Sequence, residues 1–411
     1  MNNPLQLAMV NFKKGSYIIV EGRHNADFFY ILLDGKVRVS KEVKVVAEEG
    51  GNILGPGDFF GVVSTMSSHS YIETAQAISD ISLLSVHREQ YDLLIKKNAS
   101  VAMKIIQGFS KKMRYLDKAL AQLTLKSSAT EEISHLFHVA EYYARQSQYN
   151  QAFYAYYQYV ANCPTGENIK IAKERMAKIQ PYANTVYLNA SGEEFTRTYP
   201  KNTMIFSECQ PGQELYIIQK GSVKITKIIN SNEVLLAVLK SGDIFGEMSL
   251  LENKPRSASA IAHEDAVLLA VNKANFQRMV STQPQMITRL TTLLADRIWL
   301  IYKQLANTTL SKPIARLYDA LHTQLEKARV NTESTEAYTF DFGTNELLKL
   351  VGFKTNEGGG IIDQLFSNKK IKLIENRIHV SDIVEIKRQV EYYRKMEKIE
   401  QSRREGSMKK F

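Results

Sequence analysis

The chain has 411 residues, a formal net charge of +10 and a hydrophobic share of 44%, a length at which one hydrophobic core has normally given way to several domains. Its two cysteines, Cys163 and Cys209, exclude a disulfide framework or a four-cysteine metal centre. No apolar run approaches the roughly 20 residues that cross a bilayer, and the opening MNNPLQLAMVNFKKG lacks the layout of a signal peptide.

These features lead to an expectation of a cytoplasmic protein in a reducing compartment, without a membrane partner. Each cysteine is expected to be a small buried hydrophobe. The basic surplus fits an acidic partner, most simply nucleic acid, and fits a merely basic soluble protein equally well.

From the start of the chain, FKKGSYIIVEG (12–22) and FFYILLDGKVRVSK (28–41) are short β-rich runs separated by glycine turns. They return as YPKNTMIFSEC (199–209) and LYIIQKGSVKITK (215–227). The Phe-Gly pairs at 60–61 and 245–246 are offset by 246 − 61 = 185 residues. Short strands at this spacing predict a rolled antiparallel sheet, formed twice. A helix follows each roll. Ile105, Phe109, Met113, Leu116, Leu120 and Leu123 stripe the first, and Met286, Leu290, Leu294, Ile298, Ile301 and Leu305 the second. Such stripes predict one buried face, paired within the chain or with a second chain.

Between the copies, 136–164 carries Ala140, Tyr143, Tyr149, Ala152, Tyr156 and Pro164 at spacings that resemble one tetratricopeptide repeat, with Tyr159 where a small residue is usual. IKIAKERMAKI supplies a further helix. One repeat cannot bury its own face, so it should pack on a neighbour, as a spacer or as a surface for a protein partner.

The most informative stretch is FGEMSLLENKPRSASA at 245–260. Phe245, Gly246, Glu247, Met248, Ser249, Leu250, Pro255, Arg256, Ser257 and Ala258 fill without a gap the phosphate-binding cassette of cyclic-nucleotide-binding domains, which residues 190–308 resemble. The chemistry agrees. Arg256 offers an anion a fork of charge-assisted donors, Gly246 lets the backbone approach, the short turn can aim amides at the same anion, and Ser257 adds a hydroxyl. Glu247 beside a phosphate would repel it unless a ribose hydroxyl intervened, so the pair selects ribose. The bland alternative is a surface salt bridge between Glu247 and Arg256. The resemblance implies a cyclic mononucleotide effector, cyclic AMP in preference to cyclic GMP, and no metal. It also implies a base contact from the second long helix, where Ile301 and Tyr302 stand, with Tyr302 or Trp299 able to cap the base by stacking. The ligand set is therefore Gly246, Glu247, Met248, Arg256, Ser257 and Tyr302.

In the first copy the acid and the arginine are Val62 and Tyr71. A neutral tyrosine does not replace a guanidinium opposite a buried phosphate. This copy is expected to fill its pocket with Val62 and Tyr71. A rival expectation is a different ligand met by His69, Ser70 and Tyr71.

Residues 309–384 resemble the winged helix–turn–helix of the CRP/FNR regulator superfamily. Thr344 reads as the cap of the first helix of the pair, KTNEGGGIIDQLFSNK as the recognition helix, and KIKLIENRIHV as a two-stranded wing turning at Glu375-Asn376. Thr355, Asn356 and Gly360 stand where the family sets arginine, glutamate and arginine. Gly358, Gly359 and Gly360 fall inside the expected helix at about 1 kcal/mol each relative to alanine. The resemblance implies double-stranded DNA as a partner, met by Lys354, Thr355, Asn356, Lys369 and Lys370, with Lys372 and Arg377 on phosphates. Ile383, Ile386, Val390, Tyr393, Met396 and Ile399 then stripe a charged helix, with a disordered tail expected beyond Glu400.

The expected class is α+β and multidomain: a degenerate cyclic-nucleotide-binding-like roll with its long helix at 1–126, a helical spacer at 127–184, the intact roll with its long helix at 185–308, the winged module at 309–384, and a charged helix with a basic tail at 385–411. The expected function is a cyclic-nucleotide-responsive transcription regulator. The alternative is a nucleotide-sensing scaffold that no longer reads DNA and acts through protein partners. An enzyme is not expected, because paired catalytic carboxylates, a Ser–His–Asp constellation, a P-loop and a metal-ligand cluster are all missing at useful spacing. Two rolls with one winged module imply either an internal pseudo-dimer or a homodimer.

Overall fold

The computed structural model describes residues 7–24, 26–41, 53–125, 132–185, 195–229, 232–353 and 359–408. Among them no helix is long and apolar enough to cross a membrane.

Both predicted rolls form, with the same strand order. In the first, one sheet runs Ala8–Phe12, Ile81–His87, Phe28–Asp34, Phe59–Phe60, and the other runs Tyr17–Ile19, Thr74–Ala77, Val37–Ser40, Ile53–Leu54. In the second the equivalent sheets run Thr196–Tyr199, Ala266–Asn272, Glu214–Lys220, Ile244–Phe245, and Met204–Phe206, Ser259–Ala262, Ser222–Ile229, Asn232–Lys240. Strands pair antiparallel in both rolls. The glycine turns recur because the space demands them. A Cβ on Gly35 would lie 2.3 Å from the Asp80 carbonyl oxygen, and one on Gly221 would lie 2.2 Å from that of Asp265. Both glycines also hold a positive φ, which side-chain-bearing residues avoid. Each roll has its own apolar core, around Leu32, Leu83 and Phe60 in the first and around Phe206, Tyr216, Phe245 and Leu268 in the second.

The chain divides into two compact units. One holds residues 86–295, the other residues 8–85 together with the chain from Asp296 onward. Each roll is therefore grouped with helix from the other copy. The first long helix, Ala99–Leu125, shares a unit with the second roll, and the second long helix, Pro284–Thr308, contributes its last part to the unit of the first roll.

In the first unit three helices, Leu136–Arg145, Tyr149–Asn162 and Ile169–Ile179, form the segment between the rolls. Ala140, Tyr143, Ala152 and Tyr156 are buried among them, in a cluster that also takes Met204, Cys209 and Ile261 from the second roll. The face that three helices cannot cover is thus covered by the β-roll. Polar contacts fix the seam: Tyr154 donates to the Ile205 carbonyl at 3.1 Å, Gln151 to that of Asn202 at 3.1 Å, and Tyr142 accepts from the Glu233 amide at 3.0 Å. Tyr159 is tolerated at its unusual position because its hydroxyl lies over Gly166, where any Cβ would meet it at 2.4 Å. Cys209 is buried, and Cys163 is only partly so.

In the second unit the helices Pro313–Lys327, Thr344–Leu350 and Gly359–Phe366 pack on a three-stranded sheet of Tyr338–Thr339, Arg377–Val380 and Ile371–Ile374. Leu317, Leu321, Leu347, Leu365, Ile378 and Ile386 are in its core. The expected hairpin is present. Glu375 (φ 48°) and Asn376 (φ 61°) are both left-handed, as a two-residue turn of the I′ kind requires.

Three local expectations are corrected. The helix at 344 is capped by Gly343, whose amide is accepted by the Glu346 carboxylate at 3.2 Å, so Thr344 is the first helical residue. Gly359 and Gly360 open the next helix instead of interrupting it, where an absent side chain matters least; Gly358 lies outside the described residues. The final helix, Ile383–Met408, runs past Glu400 in place of a disordered tail. It packs back on its own module. Tyr393 stacks on Tyr318 with ring centroids 6.0 Å apart, and Arg394 pairs with Asp319 at 2.7 Å.

Candidate functional site

The two cassettes share a backbone and differ in what fills it. Gly246 (φ 78°) and Gly61 (φ 79°) each precede a short helix, Glu247–Glu252 and Val62–Ser67. The left-handed glycine turns the chain sharply from strand into helix.

In the second roll the segment between the short helix and the strand Ser259–Ala262 returns Arg256 to Gly246. The Arg256 backbone is locked against a neighbouring loop: its amide donates to the Gln210 carbonyl, and its carbonyl accepts from Cys209, both at 2.8 Å. Its side chain is 4% exposed. Nη1 donates to the Gly246 carbonyl and to Ser249 Oγ, both at 2.6 Å, and the guanidinium lies 4.1 Å from the Phe206 ring centroid. Burial pulls its pKa down, against the upward influence of Tyr216, Tyr154, Glu214 and Glu247. Arg256 Nε is buried with no hydrogen-bond partner among the described residues. Gly212 lies against that nitrogen so closely that a Cβ there would approach it to 2.3 Å. A Cβ on Gly246 would reach Nη1 at 2.7 Å. Glu247 is 2% exposed, Met248 is buried, and Ser257 Oγ lies 3.8 Å from Met248 Sδ.

An unpartnered, buried guanidinium N–H flanked by two glycines is a cradle for a compact anion. It carries the donor, the positive charge and the backbone clearance. Five of the six sequence-expected ligand residues, Gly246, Glu247, Met248, Arg256 and Ser257, come together here. Tyr302 belongs to the other unit, where its hydroxyl donates to Glu21 of the first roll at 3.2 Å. The helix packed on this cassette is the first long helix, through Ser110 and Arg114. Gly212 and Phe206 also border the arginine, and neither belongs to the cassette motif. The PGQ turn at 211–213 is the sequence signal for Gly212.

In the first roll Tyr71 occupies the place of Arg256. Its Cε1 lies 3.4 Å from where a Gly61 Cβ would stand, and its hydroxyl donates to the Phe28 carbonyl at 2.7 Å. Burial pushes its pKa well up, so it stays neutral. Val62 and Tyr71 are both buried. Glu73 accepts the Gly61 amide at 2.8 Å. His69 does not face a free loop: it stacks on Trp299 with centroids 3.9 Å apart, its Nε2 3.5 Å from Asp296 Oδ1.

Of the expected DNA contacts, Lys354, Thr355 and Asn356 lie outside the described residues. Lys369 is exposed. Lys370 forms an ion pair with Asp382 and lies 3.8 Å from Glu385, so its ammonium is already engaged.

The cyclic nucleotide-binding domain family matches residues 9–98 and 196–283, one match per roll. The Cyclic AMP receptor protein of Thermus thermophilus is 39% identical over 103 residues, which is 25% of this chain and 48% of that protein. A CRP-like cAMP-activated global transcriptional regulator of Mycobacterium tuberculosis is 26% identical over 155 residues, covering 38% of this chain and 69% of the relative. A cAMP-dependent protein kinase regulatory subunit of Pyricularia oryzae is 34% identical over 85 residues, 21% of each chain. The match thus spans about half the length of the Thermus relative. Of the two stretches similar to this domain family, only the second keeps the acid and the arginine of the cassette.

Proposed function

We propose that the chain is a transcription regulator of the CRP/FNR superfamily that responds to a cyclic mononucleotide bound in the second roll, and that it is not an enzyme. The observation that carries this is Arg256, buried, with one N–H unpartnered, between two glycines whose side chains would block it. A cyclic phosphate would take the guanidinium, and Glu247 would accept the ribose hydroxyl. The similarity to cAMP-responsive relatives favours cyclic AMP.

The first roll acts as scaffold, with Tyr71 in place of the ligand. The helices and hairpin of the C-terminal module support its assignment as a winged helix–turn–helix, with Lys369, Lys372 and Arg377 on phosphates and Lys354, Thr355 and Asn356 at the reading surface. The three helices between the rolls are a tetratricopeptide-like spacer. The sharing of helix between the two copies supports an internal pseudo-dimer. Ligand biases the winged module only by its difference in affinity between two conformations of the chain.

A gel-shift on genomic fragments with and without cyclic AMP tests the DNA-reading role. Nucleotide-dependent, salt-sensitive retention of particular fragments is expected. Equal, weak retention of all fragments in both conditions would contradict it. That result would favour a nucleotide-sensing scaffold, for which the engagement of Lys370 by Asp382 and Glu385 speaks.

A further inference from the structure

The cassette of the second roll is held from outside by a residue 142 positions upstream of Arg256 (256 − 114 = 142). Arg114, on the first long helix, places Nε 3.1 Å from Glu252 Oε2, and both side chains are almost fully buried, at 4% and 3% exposure. Ser110 Oγ donates to the other oxygen of Glu252 at 2.8 Å. The two terminal nitrogens of Arg114 each lie 3.3 Å from the Pro255 carbonyl oxygen. Glu252 closes the helix that Glu247 opens, and Pro255 immediately precedes Arg256. One guanidinium therefore ties the end of the cassette helix to the peptide that carries the candidate anion-binding arginine.

The first cassette is held at the equivalent place. Position 299 stands to its copy as 114 does to the other (299 − 114 = 185), and 69 corresponds to 254 (254 − 69 = 185). There Trp299 of the second long helix stacks on His69. The equivalent helix position meets the end of each cassette with different chemistry: an aromatic stack where the cassette is filled, an ion pair with a second hydrogen-bonded tether where it keeps its arginine. A plain packing contact would not need a buried charge, which is expensive unless fully partnered.

We propose that Arg114 is a positioning residue for effector binding: acting through Glu252 and Pro255, it holds the 252–256 segment so that Arg256 faces the ligand. This rests on the cyclic-nucleotide function proposed above. Loosening the segment should let a bound ligand leave faster without changing how many sites exist or how fast they are found.

The test is stopped-flow dissociation of a fluorescent cyclic AMP analogue, displaced by excess cyclic AMP, from the full chain. Arg114→Met should raise the dissociation rate about tenfold, with the association rate and one-site stoichiometry unchanged. Arg114→Lys, which keeps the charge on Glu252 but cannot fork to Pro255, should raise it about threefold. Because Arg114→Met leaves the buried Glu252 with only Ser110 and the half-exposed Lys254 beside it and can prevent folding, Arg114→Met/Glu252→Met is measured beside it. Removing both charges commonly restores stability, and its dissociation rate should stay raised. A dissociation rate within twofold of wild type in both variants, or a reduced bound fraction with an unchanged rate, overturns the inference. Failure of the wild-type chain to bind the analogue overturns the proposed function itself, and this inference with it.

Discussion

Replacing Arg256 with leucine should separate ligand affinity from stability. The guanidinium offers an incoming anion its unpartnered Nε–H, and its fork geometry lets a second N–H reach the same anion. Two charge-assisted hydrogen bonds at about 1.5–3 kcal/mol each come to roughly 3–6 kcal/mol, or about 10²- to 10⁴-fold in Kd. Without ligand the balance differs. Leucine gives up two hydrogen bonds, to Gly246 and Ser249, and the contact with Phe206. It also removes a charge that burial already disfavours. These opposing effects should nearly cancel, leaving the unliganded protein within about 2 kcal/mol of wild type. The assays are isothermal calorimetry with cyclic AMP and urea unfolding of the ligand-free chain. Affinity within threefold of wild type would refute the reasoning. So would a loss of affinity that merely follows a collapse in stability.

Two other perturbations bear on the same architecture. Tyr71→Phe removes the hydroxyl that donates to the Phe28 carbonyl; it should cost about 1 kcal/mol in urea unfolding and leave cyclic AMP affinity unchanged, whereas a changed affinity would place ligand in the first roll. Glu208 is almost fully buried and accepts the Ile228 amide at 2.8 Å, and burial raises its pKa from 4.5 to about 7. The folded state therefore holds this proton at pH values where the unfolded chain has lost it. The stability from Glu208 is complete below about pH 4.5 and is lost as pH rises to 7, by on the order of 3 kcal/mol. Urea unfolding at pH 5 to 8 should show wild type losing stability relative to Glu208→Gln up to pH 7, and parallel curves throughout would contradict this.

The duplicated roll is legible in the sequence because its turns are made by glycines that nothing else can replace, as Gly35 and Gly221 show. The cassette is legible because Gly246, Glu247 and Arg256 are local in sequence and bring their chemistry with them. The wing turn at Glu375-Asn376 is legible for the same local reason. What covers each buried face is a different matter. The stripe through Ile105, Phe109 and Met113 says that one side of the first long helix is buried, but periodicity does not identify its cover. Hence periodicity alone does not reveal that Arg114 meets Glu252 or that Tyr302 bonds to Glu21. Gly212 escaped notice because its role is an absence of atoms beside Arg256. Tyr154 escaped because it looks like one aromatic among many until its hydroxyl is seen on the Ile205 carbonyl.

The central claim is that one of the two rolls binds a cyclic nucleotide and the other has filled its pocket with its own side chains. A calorimetric titration of the wild-type chain with cyclic AMP tests it most directly. A single binding isotherm with one ligand per chain is expected. Two equivalent sites per chain, or no heat of binding with any cyclic mononucleotide, would contradict it.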